Sequence, residues 1–416
     1  MTTRLRIDRL GAQGDGVADT EAGPVYVPFA LPGELATVAV EADRGTLIAV
    51  VEPSAARVEP ACRHFGECGG CALQHLDSSA YLAWKRDKLV AALASRGLEV
   101  EVGETVACEP GARRRAVFSA RKTAQALLFG YNRAATHRLV SIEECPILVP
   151  RIPASFAALR ELAALVCATD KTFRIAVSDT ESGLDIAVSG AGKTGEKARR
   201  AAADFAIRQG FSRLALDGEV LIAPRPPQIS IGGAVVGPPV GGFLQAVAAI
   251  ETAIAASVVS HLGHNKIRRA ADLFCGVGTF ALRLAERAEI LAVENDAAAL
   301  AALDRGFRHA DGLKRITTEK RDLFRRPLTT KELNRFDALV FDPPRAGAEA
   351  QARQIAISDV PRVAAVSCNP ATLARDLRIL VDGGYRLVEV TPFDQFLWSA
   401  HVEAVALLEK PAKKRR

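Results

Sequence analysis

The stretch "AVSCNPATLARDL", residues 365–377, carries a thiol at the end of an apolar run, where the chain turns abruptly to Ser367, Cys368, Asn369 and Pro370. Cys368 has two readings. A cysteine is among the most buried residue types and can simply fill space. It can also be a nucleophile lifted to the rim of a parallel sheet, where α/β enzymes bind their ligands. A second group of cysteines lies far upstream. Cys62, Cys68 and Cys71 in "ACRHFGECGGCALQH" are spaced C-x5-C-x2-C, and Gly69 and Gly70 would let the backbone wrap an inorganic core. Outside an oxidising compartment such a cluster points to metal rather than to disulfides. A fourth ligand is then required. His64 or His75 would complete a zinc site, and Cys145 in "EECPIL" would complete an all-thiolate set for a [4Fe–4S] cluster. Spacing leaves both open.

Two turns carry cofactor chemistry. In "DLFCGVGTF" (272–280), Gly276 and Gly278 with Ala281 fit G-x-G-x-x-A, and Glu294 ends the next apolar run. That is a dinucleotide fingerprint, and nicotinamide binding fits this stretch. S-adenosylmethionine enzymes use the same physics: a glycine turn admits the ligand close to the backbone and an acid bonds the ribose. "FDPPR" (341–345) separates the two. Its prolines stiffen the exit of a strand and hold Asp342 at the ligand edge. Nicotinamide enzymes have no need of this element, whereas enzymes that methylate nucleobases carry similar turns. Glu403 in "SAHVEAV" lies among apolar neighbours, where a carboxylate is expensive unless it has a task. Partial desolvation would raise its proton affinity and suit it to proton abstraction. His401, two residues away and expected on the same face, is its rival.

Such residues need a scaffold. The 416 residues are enough for two or three domains, and 49% apolar content supplies real cores. Residues 1–56 alternate apolar and polar positions between Gly and Pro turns, which predicts a small β-barrel of the OB type. Residues 57–240 hold the cysteines, an amphipathic helix in "SSAYLAWKRDKLVAALASRG" started by Ser and stopped by Gly97, and mixed strands and helices. "APRPPQ" and "GGAVVGPPVGG" mark a boundary. Residues 241–416 alternate strands and helices, which predicts six strands in a doubly wound, mostly parallel Rossmann-like sheet. The net charge of +6 permits a polyanionic partner, with basic clusters at Arg113–Arg115, Arg121–Lys122 and the tail "KPAKKRR". No apolar run approaches the roughly 18 residues of a membrane span, and the start lacks a signal-like core. A cytoplasmic, monomeric protein without a membrane partner is the expectation.

Together these pieces resemble the RNA uridine C5-methyltransferase family, in its bacterial iron–sulfur branch that modifies 23S ribosomal RNA. The resemblance is carried by C-x5-C-G-G-C with Cys145, "FLQ" (243–245), "DLFCGVGTF", "FDPPRAG", "SCNPATLARDL" and "HVEAVALLEK", in the family's order. The amino-terminal barrel resembles the RNA-binding TRAM module. The resemblance implies S-adenosylmethionine as methyl donor, a [4Fe–4S] cluster on Cys62, Cys68, Cys71 and Cys145, and RNA as substrate, with 23S rRNA expected and tRNA the alternative. Cys368 would add to uracil C6 and Glu403 would remove the C5 proton. Gln245, Phe274, Thr279, Glu294, Asp322 and Asp342 would line the cofactor and base pocket, although Thr279 stands where an Asn is expected. Two other classes compete. An iron–sulfur redox enzyme using nicotinamide or flavin would need a second dinucleotide signature, and none is present in the sequence. A noncatalytic RNA-binding protein would not need nucleophile, base and cofactor acids together.

Overall fold

The computed structural model describes residues 2–134, 136, 138–263 and 267–411. The last five residues of the basic tail lie outside the described residues.

The amino-terminal strands form a six-stranded sheet in which Thr2–Arg6 pairs with Leu35–Glu41 at one edge and Arg9–Leu10 pairs with Gly16–Thr20 at the other. Both edges come from the same short run, so the sheet curls around Ile7, Val25, Val27, Ala36 and Val38. Gly16 permits the tightest approach: a Cβ there would stand 2.6 Å from the Ala30 carbonyl oxygen.

The middle of the chain builds a seven-stranded, mainly antiparallel sheet from Arg115–Lys122, Leu127–Asn132, Leu139–Ser141, Phe173–Thr180, Gly183–Ser189, Arg213–Leu216 and Glu219–Ile222. Helices Phe156–Val166 and Glu196–Arg208 cover it, with Phe118, Phe129 and Phe156 in mutual ring contact beneath. Cys68, Cys71 and Cys145 pack at the margin of this core.

The carboxy-terminal sheet runs in the order Ile316–Lys320, Glu289–Glu294, Arg269–Leu273, Ala338–Phe341, Arg362–Ser367, Glu403–Glu409, Arg386–Phe393. The first five strands are parallel. Their apolar runs, such as the wholly buried Ala338–Phe341, reflect burial on both faces. Helices Ala248–Leu262 and Ala297–Arg308 lie on one face, and Glu349–Ala356 and Pro370–Asp382 on the other. The expected six strands are present. A seventh, Ile316–Lys320, was not anticipated, because "ITTEK" has the polar composition of an edge strand, and it lies at the edge.

The last strand, Glu403–Glu409, enters antiparallel between two earlier ones, pairing Ala404 with Ser367 and Glu403 with Phe393. An antiparallel strand begins at the edge where its parallel neighbours end. That register brings Glu403 beside the exit of the strand that delivers Cys368.

The units interlock. Helix Ser78–Ala94 buries Leu89 and Leu93 in the carboxy-terminal core, and Val102 and Val106 form bridges to Val390 and Phe393. Its cap is Asp77, which accepts from the Ser79 and Ala80 amides, rather than the serine expected from the sequence. The hairpin Ile229–Ile231/Ala234–Val236 likewise packs into the core beneath the glycine turn. No helix among the described residues is long and apolar enough to cross a membrane.

Candidate active site

The parallel strands end where the sheet order reverses, between Arg269–Leu273 and Ala338–Phe341, and α/β folds bind ligands there. After Leu273 the chain turns sharply. Phe274 adopts φ 62°, a conformation that non-glycine residues hold only under constraint. Gly276 (φ 52°) and Gly278 (φ 99°) follow. A Cβ on Gly278 would meet Leu303 Cδ1 at 2.4 Å, so this glycine is needed for packing. A Cβ on Gly276 would meet nothing within 4 Å: it faces open space, as a ligand-admitting position must. Buried Asp272 accepts from the Ala281 amide at 2.8 Å and fixes the start of the short helix Ala281–Leu284.

Glu294 ties the turn together from the neighbouring strand. Its Oε2 accepts from the Gly276 amide at 3.1 Å, and Oε1 from the amides of Asn295 and Asp296 at 2.6 and 2.9 Å. A carboxylate offers about four acceptor sites, so capacity remains for hydroxyls. Asp322 accepts from the Phe324 amide at 3.0 Å, and the Phe274 and Phe324 rings stand 5.5 Å apart. These residues line one cavity of about 680 Å³ together with Gln245, Thr279, Asp342, Cys368 and Glu403. All eight cofactor and catalytic positions expected from the sequence are therefore on one wall system. Phe324 was missed: a single aromatic after "RDL" carries no motif.

The cavity's inner end is unusually acidic for its burial. Gln245 Nε2 donates to Asp342 Oδ2 at 3.2 Å. Gln395 Nε2 donates to Gln245 Oε1 at 2.8 Å and to Glu403 Oε2 at 3.1 Å. Burial pushes the Asp342 carboxyl up to about 7. Burial, then repulsion from Asp342, pushes Glu403 well above the usual carboxylate range. The pair therefore resists carrying two negative charges at neutral pH. Cys368 stands beside them. Burial first, then Glu403 and Asp342, push its thiol up to about 11, with Arg345 opposing. Asn369 caps helix Pro370–Asp382 through the Ala371 amide and donates Nδ2 to the Arg345 carbonyl at 2.9 Å, and Pro370 begins the first turn. This "SCNP" corner sets the thiol on the rim at a helix amino terminus, whose dipole opposes that rise without cancelling it.

A second cavity, of about 440 Å³, is lined by Cys62, Cys68, Cys71 and Cys145 with Arg113 and Tyr131. Burial pushes the Cys145 thiol up to about 12 and Cys71 up to about 11, and the neighbouring cysteines add to both. Four thiols that resist ionisation together are a donor set that a multivalent cation would satisfy. Among the described residues no group of three or more His, Cys, Asp or Glu is arranged to hold a single metal ion. The zinc alternative loses His75, which is fully buried against Phe29 and Phe65, away from this cavity. His64 does line it, and its Nε2 accepts from the Glu143 amide at 2.9 Å.

The two cavities meet at Arg345, Cys368 and Phe396, which line both. His401 faces only the cysteine side, not the face shared by Glu403, because the strand begins at Glu403 and His401 precedes it in irregular backbone. Burial and the nearby Arg345, Lys88, Lys85 and Arg113 hold its imidazole down to about 4.

A doubly wound sheet with a glycine turn, an acid on the second strand and an Asp-Pro-Pro exit defines a methyltransferase of the S-adenosylmethionine-dependent class. The family model for tRNA (uracil-5-)-methyltransferase matches residues 239–411. An uncharacterized RNA methyltransferase of Mesorhizobium japonicum is 59% identical over 415 residues, covering 100% of both chains. The 23S rRNA (uracil(1939)-C(5))-methyltransferase RlmD of Pectobacterium atrosepticum is 32% identical, covering 95% of this chain and 90% of that one. The tRNA (uracil-54, C5)-methyltransferase of Pyrococcus abyssi, solved with S-adenosyl-L-homocysteine, shares the fold with a TM-score of 0.75 over 97% of this chain and 99% of that one, at 23% identity. The chain belongs to the RNA uridine C5-methyltransferase family, and is an S-adenosylmethionine-dependent RNA (uracil-C5-)-methyltransferase.

Proposed function

We propose that this enzyme methylates C5 of a uridine in 23S rRNA through a covalent bond between Cys368 and uracil C6. The observation that carries the reading is the placement of Cys368 where the two cavities join, with Asp342 and Glu403 beside it from two other strand ends. S-adenosylmethionine held in the larger cavity supplies an electrophilic methyl group. The open face of Gly276, the remaining acceptor capacity of Glu294 and Asp322, and the Phe274–Phe324 ring pair fit a sugar, an amino-acid tail and a purine. Thr279 and Gln245 complete that wall.

Uracil C5 is too weak a nucleophile to take a methyl group unaided. The Cys368 thiolate adds to C6, and the displaced C5–C6 electron pair becomes an enolate. C5 then bonds to the methyl carbon as the methyl–sulfur bond of the donor breaks, and S-adenosylhomocysteine departs with that electron pair. Glu403 accepts the C5 proton, the C5–C6 double bond re-forms and the thiolate leaves. The depressed basicity of His401 and its position on the cysteine side support Glu403 as the acceptor. Asp342, held by Gln245, lies between cofactor and base.

Residues 1–56 form the RNA-gripping barrel in this reading, 57–240 the cysteine-bearing domain and 241–416 the methyltransferase domain. Cys62, Cys68, Cys71 and Cys145 would hold a [4Fe–4S] cluster, which would order the RNA-facing wall and move no electrons in the reaction. RNA enters from the cysteine side, where Arg113 and Arg345 can meet phosphates. The extruded uridine reaches Cys368 from there.

Ribosomal RNA is favoured over tRNA by RlmD, a relative at 32% identity matched over nearly the whole chain. The test is to map 5-methyluridine in total RNA from a deletion strain and from the same strain complemented with the gene. Loss and recovery of the mark at one 23S position supports the proposal. Loss from tRNA alone moves the substrate to tRNA, and no change in either overturns both.

A further inference from the structure

Gln395 is buried, was not singled out by any sequence motif, and bonds two of the residues assigned above through one amide nitrogen. That nitrogen donates to Gln245 Oε1 and to Glu403 Oε2, while Gln245 in turn donates to Asp342. Oε1 of Glu403 has no hydrogen-bond partner among the described residues. One oxygen of the carboxylate is therefore anchored and the other is free. We propose that Gln395 is a positioning residue, which locks the Glu403 carboxylate and the Gln245 amide in one register so that the free oxygen of Glu403 meets the C5 proton. The inference rests on the reading of Glu403 as the proton acceptor.

The residues on both sides of Gln395 are held by helix Ser78–Ala94 and by Val106 beyond it. Lys85 Nζ, fully buried, donates to Asp394 Oδ1 at 2.5 Å and to the Phe396 carbonyl at 3.0 Å. Tyr81 donates to Asp394 Oδ1 at 3.1 Å. The Asp394 amide donates to the Val106 carbonyl at 2.9 Å. Gln395 is thus presented by flanking residues that cannot easily shift, as a side chain that sets another's geometry must be. The polar and titratable groups facing Glu403 are Gln395 itself, Asp342 from the end of Ala338–Phe341 and Cys368 from the end of Arg362–Ser367, the last with Arg345 beyond it. Among them Gln395 is the group that stabilises the ionised carboxylate, and Asp342 opposes it. Loss of the donor raises the proton affinity of Glu403, so the base becomes available only at higher pH.

The experiment compares wild type, Gln395→Met, Gln395→Asn and Glu403→Gln in single turnovers on total RNA from a deletion strain. It follows formation of S-adenosylhomocysteine and resolution of the protein–RNA adduct from pH 6 to 9. Affinity for S-adenosylhomocysteine checks that each variant is folded. Gln395→Met keeps the volume and removes the donor. It should form S-adenosylhomocysteine within about threefold of wild type but resolve the adduct roughly tenfold slower, the effect of one hydrogen bond to a charged group. Its resolution midpoint should rise by about one pH unit. Gln395→Asn, with a shorter reach, should show the same direction. Glu403→Gln should accumulate the adduct. If Glu403→Gln stalls while Gln395→Met resolves the adduct with the wild-type rate and midpoint, the positioning role is overturned and the base assignment stands. If Glu403→Gln resolves the adduct normally, the base assignment falls and the positioning role with it.

Discussion

At the scale of single residues, the proposed nucleophile is kept in its unreactive form. Burial, Glu403 and Asp342 all oppose ionisation of Cys368, so the thiol is pushed up to about 11 in the ligand-free protein. A group raised this far is almost wholly protonated at pH 7, and thiolate appears only as pH climbs toward its shifted value. Alkylation of Cys368 by iodoacetamide, followed by peptide mass spectrometry, should therefore be slow at pH 7 and rise about tenfold per pH unit to pH 10. Labelling as fast at pH 7 as at pH 10 would show that the thiolate is already present. Cys368→Ala should abolish methyl transfer while leaving affinity for S-adenosylhomocysteine within about threefold, because the glycine turn and Glu294 form the other end of the cavity. The motif residues were legible in the sequence because each lies in a run whose turn chemistry is local: Pro343 and Pro344 after Asp342, Asn369 and Pro370 after Cys368. Phe324 and Gln395 were not, because their roles arise from distant partners, Phe274 for the first and Gln245 for the second. His401 was misplaced for a related reason, since period-two counting extends a strand that begins only at Glu403.

At the scale of elements, the glycine turn tolerates little change at Gly278. Gly278→Ala places a Cβ 2.4 Å from Leu303 Cδ1 in a residue with φ 99°. Overpacking and backbone strain together cost about 2–4 kcal/mol. The expected result is a lower thermal unfolding midpoint, read by differential scanning fluorimetry, and a partial recovery in Gly278→Ala/Leu303→Ala, where the clashing side chain is removed. Failure of the double variant to recover would place the cost in the backbone alone. The parallel strands were legible as apolar runs between turns, since burial on both faces leaves few polar positions. Ile316–Lys320 was not, because an edge strand is half solvated. The order of the last two strands was also hidden. Nothing local in "HVEAVALLEK" says that it inserts between its predecessors, yet this insertion places Glu403 against Cys368.

At the scale of the whole molecule, the cysteine wall and the methyltransferase sheet are joined through the segment that carries Gln395. The Ala72 and Leu73 amides, next to Cys71, donate to the Trp398 carbonyl at 2.8 and 3.1 Å. Leu397 and Trp398 pack against the core that holds Cys68, Cys71 and Cys145. Protein purified without oxygen should be brown and contain about four irons per chain. Cys145→Ala should lose the iron, and Cys167→Ala, whose thiol bonds the Thr169 carbonyl instead, should keep it. Stoichiometric zinc with no iron would replace the cluster by a zinc site. The three larger sheets follow one another along the chain, as the composition and periodicity of the sequence suggested. Their interlocking was not legible there, because residues 78–106 contribute to the carboxy-terminal core through a face whose partners lie some 270–310 residues downstream, as the bonds from Lys85 to Asp394 and Phe396 illustrate.

Cys368 stands where two separately edged cavities join. Exposed Phe243 and Phe324 border one, and exposed Val117 borders the other. In the proposed reading, with the methyl donor in one cavity and the RNA at the other, neither ligand has to pass through the other's chamber. Initial-rate plots should therefore intersect, as for random addition of two substrates, and S-adenosylhomocysteine should compete with S-adenosylmethionine at every RNA concentration. A compulsory order, in which RNA gates access to the methyl donor, would instead give S-adenosylhomocysteine no measurable affinity for the free enzyme. Traffic through such a site is commutative: either visitor can arrive first, and either product can leave while the other stays.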